Sequence, residues 1–374
     1  MRRPILAAIL ASTLISSANA DSDVPAAVQK LHEESFVMDL HTDTLLIIEH
    51  LGYDFGERHW APLGFMPWMG HVDIPRAREG GLDAMFMGIV ANPFWGDGRE
   101  QVRKSIRTAH QQVLQRYPDK VELARTADDL ERITKEGKIA VQFLLEGAHG
   151  LGAPEGVEAF LDELYGQGLR VMGLAHFTDN EYAASSASSD PERPGLSEAG
   201  RRVIRHMNDM GIAVDLAHAH PQSFHEAIAI SRAPVIVSHT GIKAQKNVFR
   251  NIDDAQIKAV AKTGGVIGVM YAPTWLSANL NPPIETVIEH MLHVKKLVGA
   301  RHLALGSDYD GFIWLPKGMW DVTDQPKLTA AMVEAGFTAE EVRGILGENI
   351  LRVMREVEQR ATKRPQAVPS AAAN

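Results

Sequence analysis

Seven side chains able to bind a metal or move a proton stand at or just beyond the ends of short apolar runs. They are His41, Asp43, Glu146, His176, His218, His239 and Asp308. His41-Thr42-Asp43 is an i, i+2 pair, and on an extended segment both side chains project to one side, where an imidazole and a carboxylate could hold a divalent cation. Alone, such a pair is common and is more often a surface or capping pair. His218, closing Asp215-Leu216-Ala217-His218, and His239, after Ser238, could hold a second cation. A lone histidine is more often a satisfied core residue, so these two matter only if they meet. Glu146 follows Phe143-Leu144-Leu145, where an unpaired carboxylate is costly to bury; bridging two cations removes that cost. Two cations about 3.5–4 Å apart bind a hydroxide between them and bring the pKa of water from about 15.7 towards about 7. Asp308 would take a proton from this nucleophile and pass it to the leaving amine. His176, off the metals, would polarise the developing oxyanion. The set favours hydrolysis over redox or phosphoryl transfer, and no G-x-G-x-x-G after a strand, G-x-x-x-x-G-K-[ST] or G-x-S-x-G accompanies it.

Residues this far apart can meet only on a scaffold that gathers strand ends. Eight near-continuous apolar runs have the length and character of strands buried on both faces. They are 36–40, 84–90, 139–145, 171–175, 212–217, 235–237, 266–270 and 303–305. Amphipathic stretches alternate with them at 99–116, 154–165, 196–210, 221–231, 255–262 and 284–298. Ser197 is placed to cap the third of these, and Gly168, Gly211 and Gly299 stand where helices should stop. The pattern predicts an α/β fold, a single (β/α)8 TIM-type barrel over residues 21–361, with its metal site at the C-terminal face of the strands.

The remaining composition narrows the setting. Arg2 and Arg3, the apolar run from Ile5 to Ile15 and Ala18-Asn19-Ala20 have the three-part form of a secretory signal peptide spanning 1–20. The apolar run is well short of the ~20 residues that span a bilayer, so export as a periplasmic or secreted protein without a stable membrane anchor is expected. There is no cysteine, so neither disulfides nor lipid attachment at a cysteine is available, and any metal must be held by His and carboxylate donors suited to Zn, Mn, Co or Fe. The formal charge is −9 and no basic run offsets it, which argues against nucleic acid. From Thr362 to 374 the chain is rich in Pro, Ala and Ser and reads as a disordered tail.

Taken in order, the motifs resemble the membrane (renal) dipeptidase family, a branch of the amidohydrolase-like metal barrels. Asp39-Leu40-His41-Thr42-Asp43 resembles its first-strand H-x-D motif. His71-Val72-Asp73-Ile74-Pro75 with Arg78-Glu79-Gly80-Gly81, Leu145-Glu146-Gly147-Ala148-His149, and Gly168-Leu169-Arg170 through Leu174-Ala175-His176 are similar to three further segments. Asp215-Leu216-Ala217-His218 with Ser231-Arg232-Ala233-Pro234 through Ser238-His239 is the most specific match. Arg250-Asn251 and Gly306-Ser307-Asp308-Tyr309-Asp310-Gly311 complete a series running from about residue 36 to 358. The resemblance implies a zinc-dependent dipeptidase with two Zn2+ per subunit, other divalent cations such as Mn2+, Co2+ or Fe2+ being alternatives. His41 and Asp43 would bind one ion, His218 and His239 the other, and Glu146 would bridge them. His176 would contact the scissile carbonyl or tetrahedral oxygen, Asp308 would shuttle the proton, and Arg250 would grip the substrate's C-terminal carboxylate as a planar fork. Arg250 is otherwise a solvated loop cation pairing with Asp253 or Asp254. Substrates would be L-Xaa-L-Xaa and L-Xaa-D-Xaa dipeptides; another amide, ester or lactone, β-lactams included, is the alternative, and the subunit could pair as a homodimer. The family's animal members carry disulfides and a lipid anchor; this chain has no cysteine for the former, and export without the latter is expected. Gly52 to Met69 matches no family motif; it either covers the pocket or is a packing loop. Tyr271 stands near an aromatic position of the family in a different local sequence and has no assigned role.

Overall fold

Runs that are apolar on both faces have to be covered on both, and a ring of parallel strands wrapped in helices does this. The computed structural model describes residues 24–60, 66–190 and 195–363. The strands are β1 (Met38–Thr42), β2 (Ala84–Val90), β3 (Val121–Leu123), β4 (Ile139–Glu146), β5 (Leu169–Gly173), β6 (Ala213–Asp215), β7 (Ile236–Thr240), β8 (Val266–Val269) and β9 (Leu303–Leu305). Every pairing is parallel, and β2 pairs with both β1 and β4, which closes eight strands into the expected barrel. The ninth, β3, pairs only with β4 and lies outside the ring. Its three residues, Val-Glu-Leu, are too few to give a periodic signal.

Two apolar layers result. Met38, Leu40, Phe86, Leu144, Val171 and Ile236 belong to the cluster filling the barrel, which continues into the helices Ala127–Lys135 and Asn349–Gln359. Their neighbours in alternation, such as Met85, Val141 and Val237, pack outward against the helical shell. Ser197 caps the helix Glu198–Met210 by accepting from Gly200 N, and Gly211 ends it at φ 79°. A backbone there in the left-handed region suits glycine, which has no Cβ to clash. The stretch expected as one helix over 99–116 is instead a helix, Gly98–Ala109, that widens into a π turn, His110–Leu114. β5 starts two residues earlier than expected because Arg170 is buried productively. Its guanidinium donates to Arg125 O and Tyr165 O and lies 3.8 Å from the Tyr165 ring centroid.

The leader expected at 1–20 lies outside the described residues. Of the tail, Thr362 and Lys363 are described, both donating their backbone N–H to Asp209 O at 3.0 and 2.8 Å; the rest lies outside the described residues. Among the described residues no helix is long and apolar enough to cross a membrane.

Candidate metal centre

In a parallel barrel the C-terminal ends of all strands open on one face. His41 and His239 lie within the last two residues of β1 and β7, and Glu146 ends β4. Strict alternation would have turned both histidines outward, since Leu40 and Ile236 fill the barrel. The register of β1 against β2 shifts between Asp39 and Thr42, and that of β7 against β8 between Val237 and Thr240. Such irregularities re-aim side chains at barrel rims, and here they bring His41 and His239 face to face with ring centroids 3.9 Å apart. Asp43 is reached differently from the sequence expectation. It stands just beyond β1 at the head of the helix Thr44–Leu51, with φ −95° and ψ 18°, rather than on extended backbone. Its side chain makes no capping bond, so the capping alternative fails.

The donors converge. His218 Nε2 and His239 Nε2 lie 3.1 and 3.4 Å from Glu146 Oε1, and 3.1 Å from each other. His41 Nε2 lies 3.6 Å from the same oxygen and 3.5 Å from Asp43 Oδ1. His176 Nε2 approaches the other oxygen, Oε2, at 3.6 Å, and Asp308 Oδ1 lies 3.9 and 4.0 Å from His41 and His239. All are buried except His176, which is half-buried. Neither ring nitrogen of His41 has a hydrogen-bond partner, nor does Asp43 Oδ1. Buried polar atoms left like this are costly, and imidazole and carboxylate donors focused on common points are the ligand set of divalent cations. The residues present fit such ions.

Residues behind the donors fix their direction. Ser238 Oγ donates to Asp215 Oδ2 at 2.6 Å and lies 2.9 Å from His239 Nδ1. With its one proton committed to Asp215, the hydroxyl accepts from Nδ1–H, which leaves the Nε2 lone pair of His239 facing the centre. Asp39 accepts from His41 N and Ser307 N, tying β1 to the Asp308 loop. His218 and Asp308 hold φ of 60° and 69°, a region non-glycine residues rarely adopt and one that collects at functional sites. Asp310, at φ 67°, accepts from Thr44 Oγ1 and His71 N, both at 2.6 Å, and so braces the same loop.

Charge is balanced tightly among the protein groups alone. Burial lowers His41, but Glu146, Asp43 and Asp308 override it and raise the imidazole to about 10. Burial lowers His218 and His239 well below the usual imidazole range, Arg250 and His41 adding to the effect. Both are thus neutral, as ligands must be, whereas His41 would give up its carboxylate-held proton when a cation binds there. Burial also pushes Asp308 well above the carboxylate range, with Asp43 and Glu146 adding to it and His41 and Arg250 opposing.

Arg250 is 3% exposed, which excludes the solvated alternative. Asp253 caps the helix Asp254–Thr263, and Asp254 pairs with His293. The guanidinium Nη2 donates to His239 O at 2.9 Å and lies 3.0 Å from His218 Nε2, a contact it must yield when that lone pair takes a cation. Its Nη1 has no partner. Burial brings the group down to about 10. Arg250, Glu146, His176, His218, His239 and Asp308 line one cavity of about 260 Å3, bordered by Phe177, Trp275 and Phe312. A larger groove of about 680 Å3 beside Trp314 and Trp320 holds none of them.

Sequence reasoning overlooked several contributors. Asp39 and Asp215 were visible as charges inside apolar runs. The space-making glycines, Gly88 and Gly311, were not: a Cβ at Gly88 would meet Asp43 Oδ1 at 2.6 Å, and one at Gly311 would meet Asp308 Oδ1 at 2.5 Å. Tyr271 is fully buried, 3.4 Å from Gln325 Oε1, away from the cavity. In the segment 52–69, Trp68 packs on Trp314 and Met69 lines a second pocket beside the centre, while 61–65 lie outside the described residues.

Comparison with known proteins points to one family. Residues 26–368 match the family model described as membrane dipeptidase, peptidase family M19. The chain is 37% identical over 312 residues to dipeptidase tcpJ of Claviceps purpurea, covering 80% of this chain and 72% of that protein. It is 30% identical over 349 residues to dipeptidase verJ of Clonostachys rogersoniana, covering 88% of each. The crystal structure of a metallo peptidase from Rhodobacter sphaeroides, liganded with a phosphinate mimic of the dipeptide L-Ala-D-Ala, superposes with a TM-score of 0.76 at 25% identity. That match covers 87% of this chain and 100% of the other.

Proposed function

Because this chain belongs to the membrane dipeptidase family, peptidase family M19, we propose that it hydrolyses dipeptides with free termini, L-Xaa-L-Xaa and L-Xaa-D-Xaa, at a centre of two zinc ions. The observation that carries this reading is the convergence of His218 and His239 Nε2 on Glu146 Oε1, at 3.1 and 3.4 Å. Arg250, with an unpartnered Nη1, lines the same cavity.

His41 and Asp43 would hold one ion, His218 and His239 the other, and Glu146 would reach both. Divalent cations bound there acidify water and polarise a carbonyl. The chain's own residues do the rest. Arg250 holds the C-terminal carboxylate by charge-assisted hydrogen bonds, which sets the peptide carbonyl over Glu146. His176 donates from Nε2 to the carbonyl oxygen as charge develops on it. Asp308, whose ionised form cations held beside Asp43 and Glu146 would favour, takes the proton of the attacking water at its carboxylate and delivers it to the departing nitrogen. Phe177, Trp275 and Phe312 border the cavity and limit its water.

The test is a panel of LL and LD dipeptides against aryl esters, run before and after chelation. Dipeptide turnover lost on chelation and restored by zinc supports the reading; turnover confined to esters rejects it. We further propose export after removal of residues 1–20, checked by sequencing the N-terminus of the mature protein. A mature chain that begins at Met1 rejects that part.

A further inference from the structure

A second cavity, of about 500 Å3, opens beside the metal centre. It shares Asp43, Glu146, His176, Phe177, Gly311 and Phe312 with the catalytic cavity, but Arg250, His218, His239 and Asp308 line only the latter. A dipeptide with its carboxylate on Arg250 and its peptide carbonyl over Glu146 therefore directs its N-terminal residue to the second cavity. We propose that this pocket takes the side chain of the N-terminal residue and selects a large apolar one. The inference rests on the dipeptidase reading and names the substrate class within it.

The walls explain the selection. Leu46, Ile47, Met69, Val90, Pro93 and Trp95 supply apolar surface. The amide side chains of the lining are engaged: Gln101 accepts from Asn92 N at 2.9 Å and donates to Asn92 O and Trp95 O at 3.1 and 3.2 Å, and Asn92 Oδ1 accepts from Phe94 N at 2.9 Å. Beyond the edge shared with the metal centre, His50 is the one ionisable residue among the described lining. It is exposed and sits edge-on to Trp95 at 6.2 Å. A charged substrate side chain would lose water there without gaining a partner, whereas an apolar one gains contact with the wall. The volume lies in the range of pockets that enclose small organic ligands, about 300–1,000 Å3, so an aromatic ring fits.

The experiment compares kcat/KM for X-Ala and Ala-X series, X being Gly, Ala, Leu, Phe, Asp or Lys. Phe-Ala and Leu-Ala should exceed Gly-Ala by about 10- to 100-fold, the discrimination expected of an apolar pocket, while the Ala-X series stays flatter. Trp95→Ala, at a residue 67% exposed and so outside the folded core, should reduce the Phe-Ala to Gly-Ala ratio several-fold. Leu46→Glu should reduce it further and raise Lys-Ala relative to Leu-Ala. Calorimetry with phosphinic pseudo-dipeptides gives a readout free of turnover, the N-terminal Phe analogue binding about tenfold more tightly than the Gly analogue. Equal rates across the X-Ala series, or a preference that follows the second residue, overturns the inference and leaves the dipeptidase reading standing. Hydrolysis of no dipeptide at all overturns both.

Discussion

Gly88→Ala should separate the fold from the centre. Gly88 lies within β2, in register with Leu144 of β4, where alanine suits the backbone. The added Cβ would stand 2.6 Å from Asp43 Oδ1 and 3.0 Å from Thr42 O. Ordinary van der Waals contact begins at about 3.4 Å, so the carboxylate oxygen must retreat by about 0.8 Å. Metal–ligand distances tolerate about 0.2 Å, so Asp43 cannot retreat that far and still ligate. A mis-aimed ligand costs at least the 10–100-fold in metal affinity typical of disturbed outer partners, while overpacking costs about 1–3 kcal/mol of stability. The assay is metal content after dialysis against a graded chelator, with circular dichroism to verify folding. The variant should fold and lose metal at chelator concentrations about 10–100-fold lower than the parent. A folded Gly88→Ala protein with parental metal retention and turnover would refute the argument that Asp43 is a ligand held against β2.

Asp308→Asn should retain both metals and lose about 10²–10⁴-fold in kcat, the usual contribution of a positioned acid–base group; metal analysis and kinetics on one sample check this. Arg250→Ala should raise KM for free dipeptides by the worth of a charged hydrogen bond, about 1.5–3 kcal/mol, and leave amidated dipeptides unaffected; an equal loss on both would remove its carboxylate role. Burial raises Asp83 to about 6, against an opposing bond from Val37 N. Its folded form therefore holds a proton that the unfolded chain releases near pH 4, so this group's stabilising contribution is full below that pH and lost as pH rises through about 6. Asp83→Asn should flatten the stability profile in that window and stabilise at pH 7 by up to about 3 kcal/mol, since the rise covers about two tenfold changes in proton affinity, each worth about 1.4 kcal/mol. Denaturant titrations from pH 4 to 7 read it directly.

The barrel was legible because its strands are apolar on both faces and its helices carry their own stops, as at Ser197 and Gly211. β3 was not, since three residues cannot display a period. The donors were legible as polar residues at the ends of apolar runs, yet their aim was not. His41 and His239 face the centre through register shifts, which depend on the neighbouring strand and leave no local mark. Arg250 lies in a loop with no periodic signal, and the role expected of it came from the resemblance alone. Gly88 and Gly311 act through contacts across the barrel rim, where glycine signifies room for a carboxylate rather than a turn.

The proposed chemistry requires Glu146 to lie between two cations. Anomalous diffraction from crystals of the zinc-loaded protein, collected on both sides of the zinc edge, tests it most directly. Two peaks are predicted, one beside His41 and Asp43, the other beside His218 and His239, each within ligand distance of Glu146. A single peak, or two peaks with Glu146 bound to neither, would contradict it.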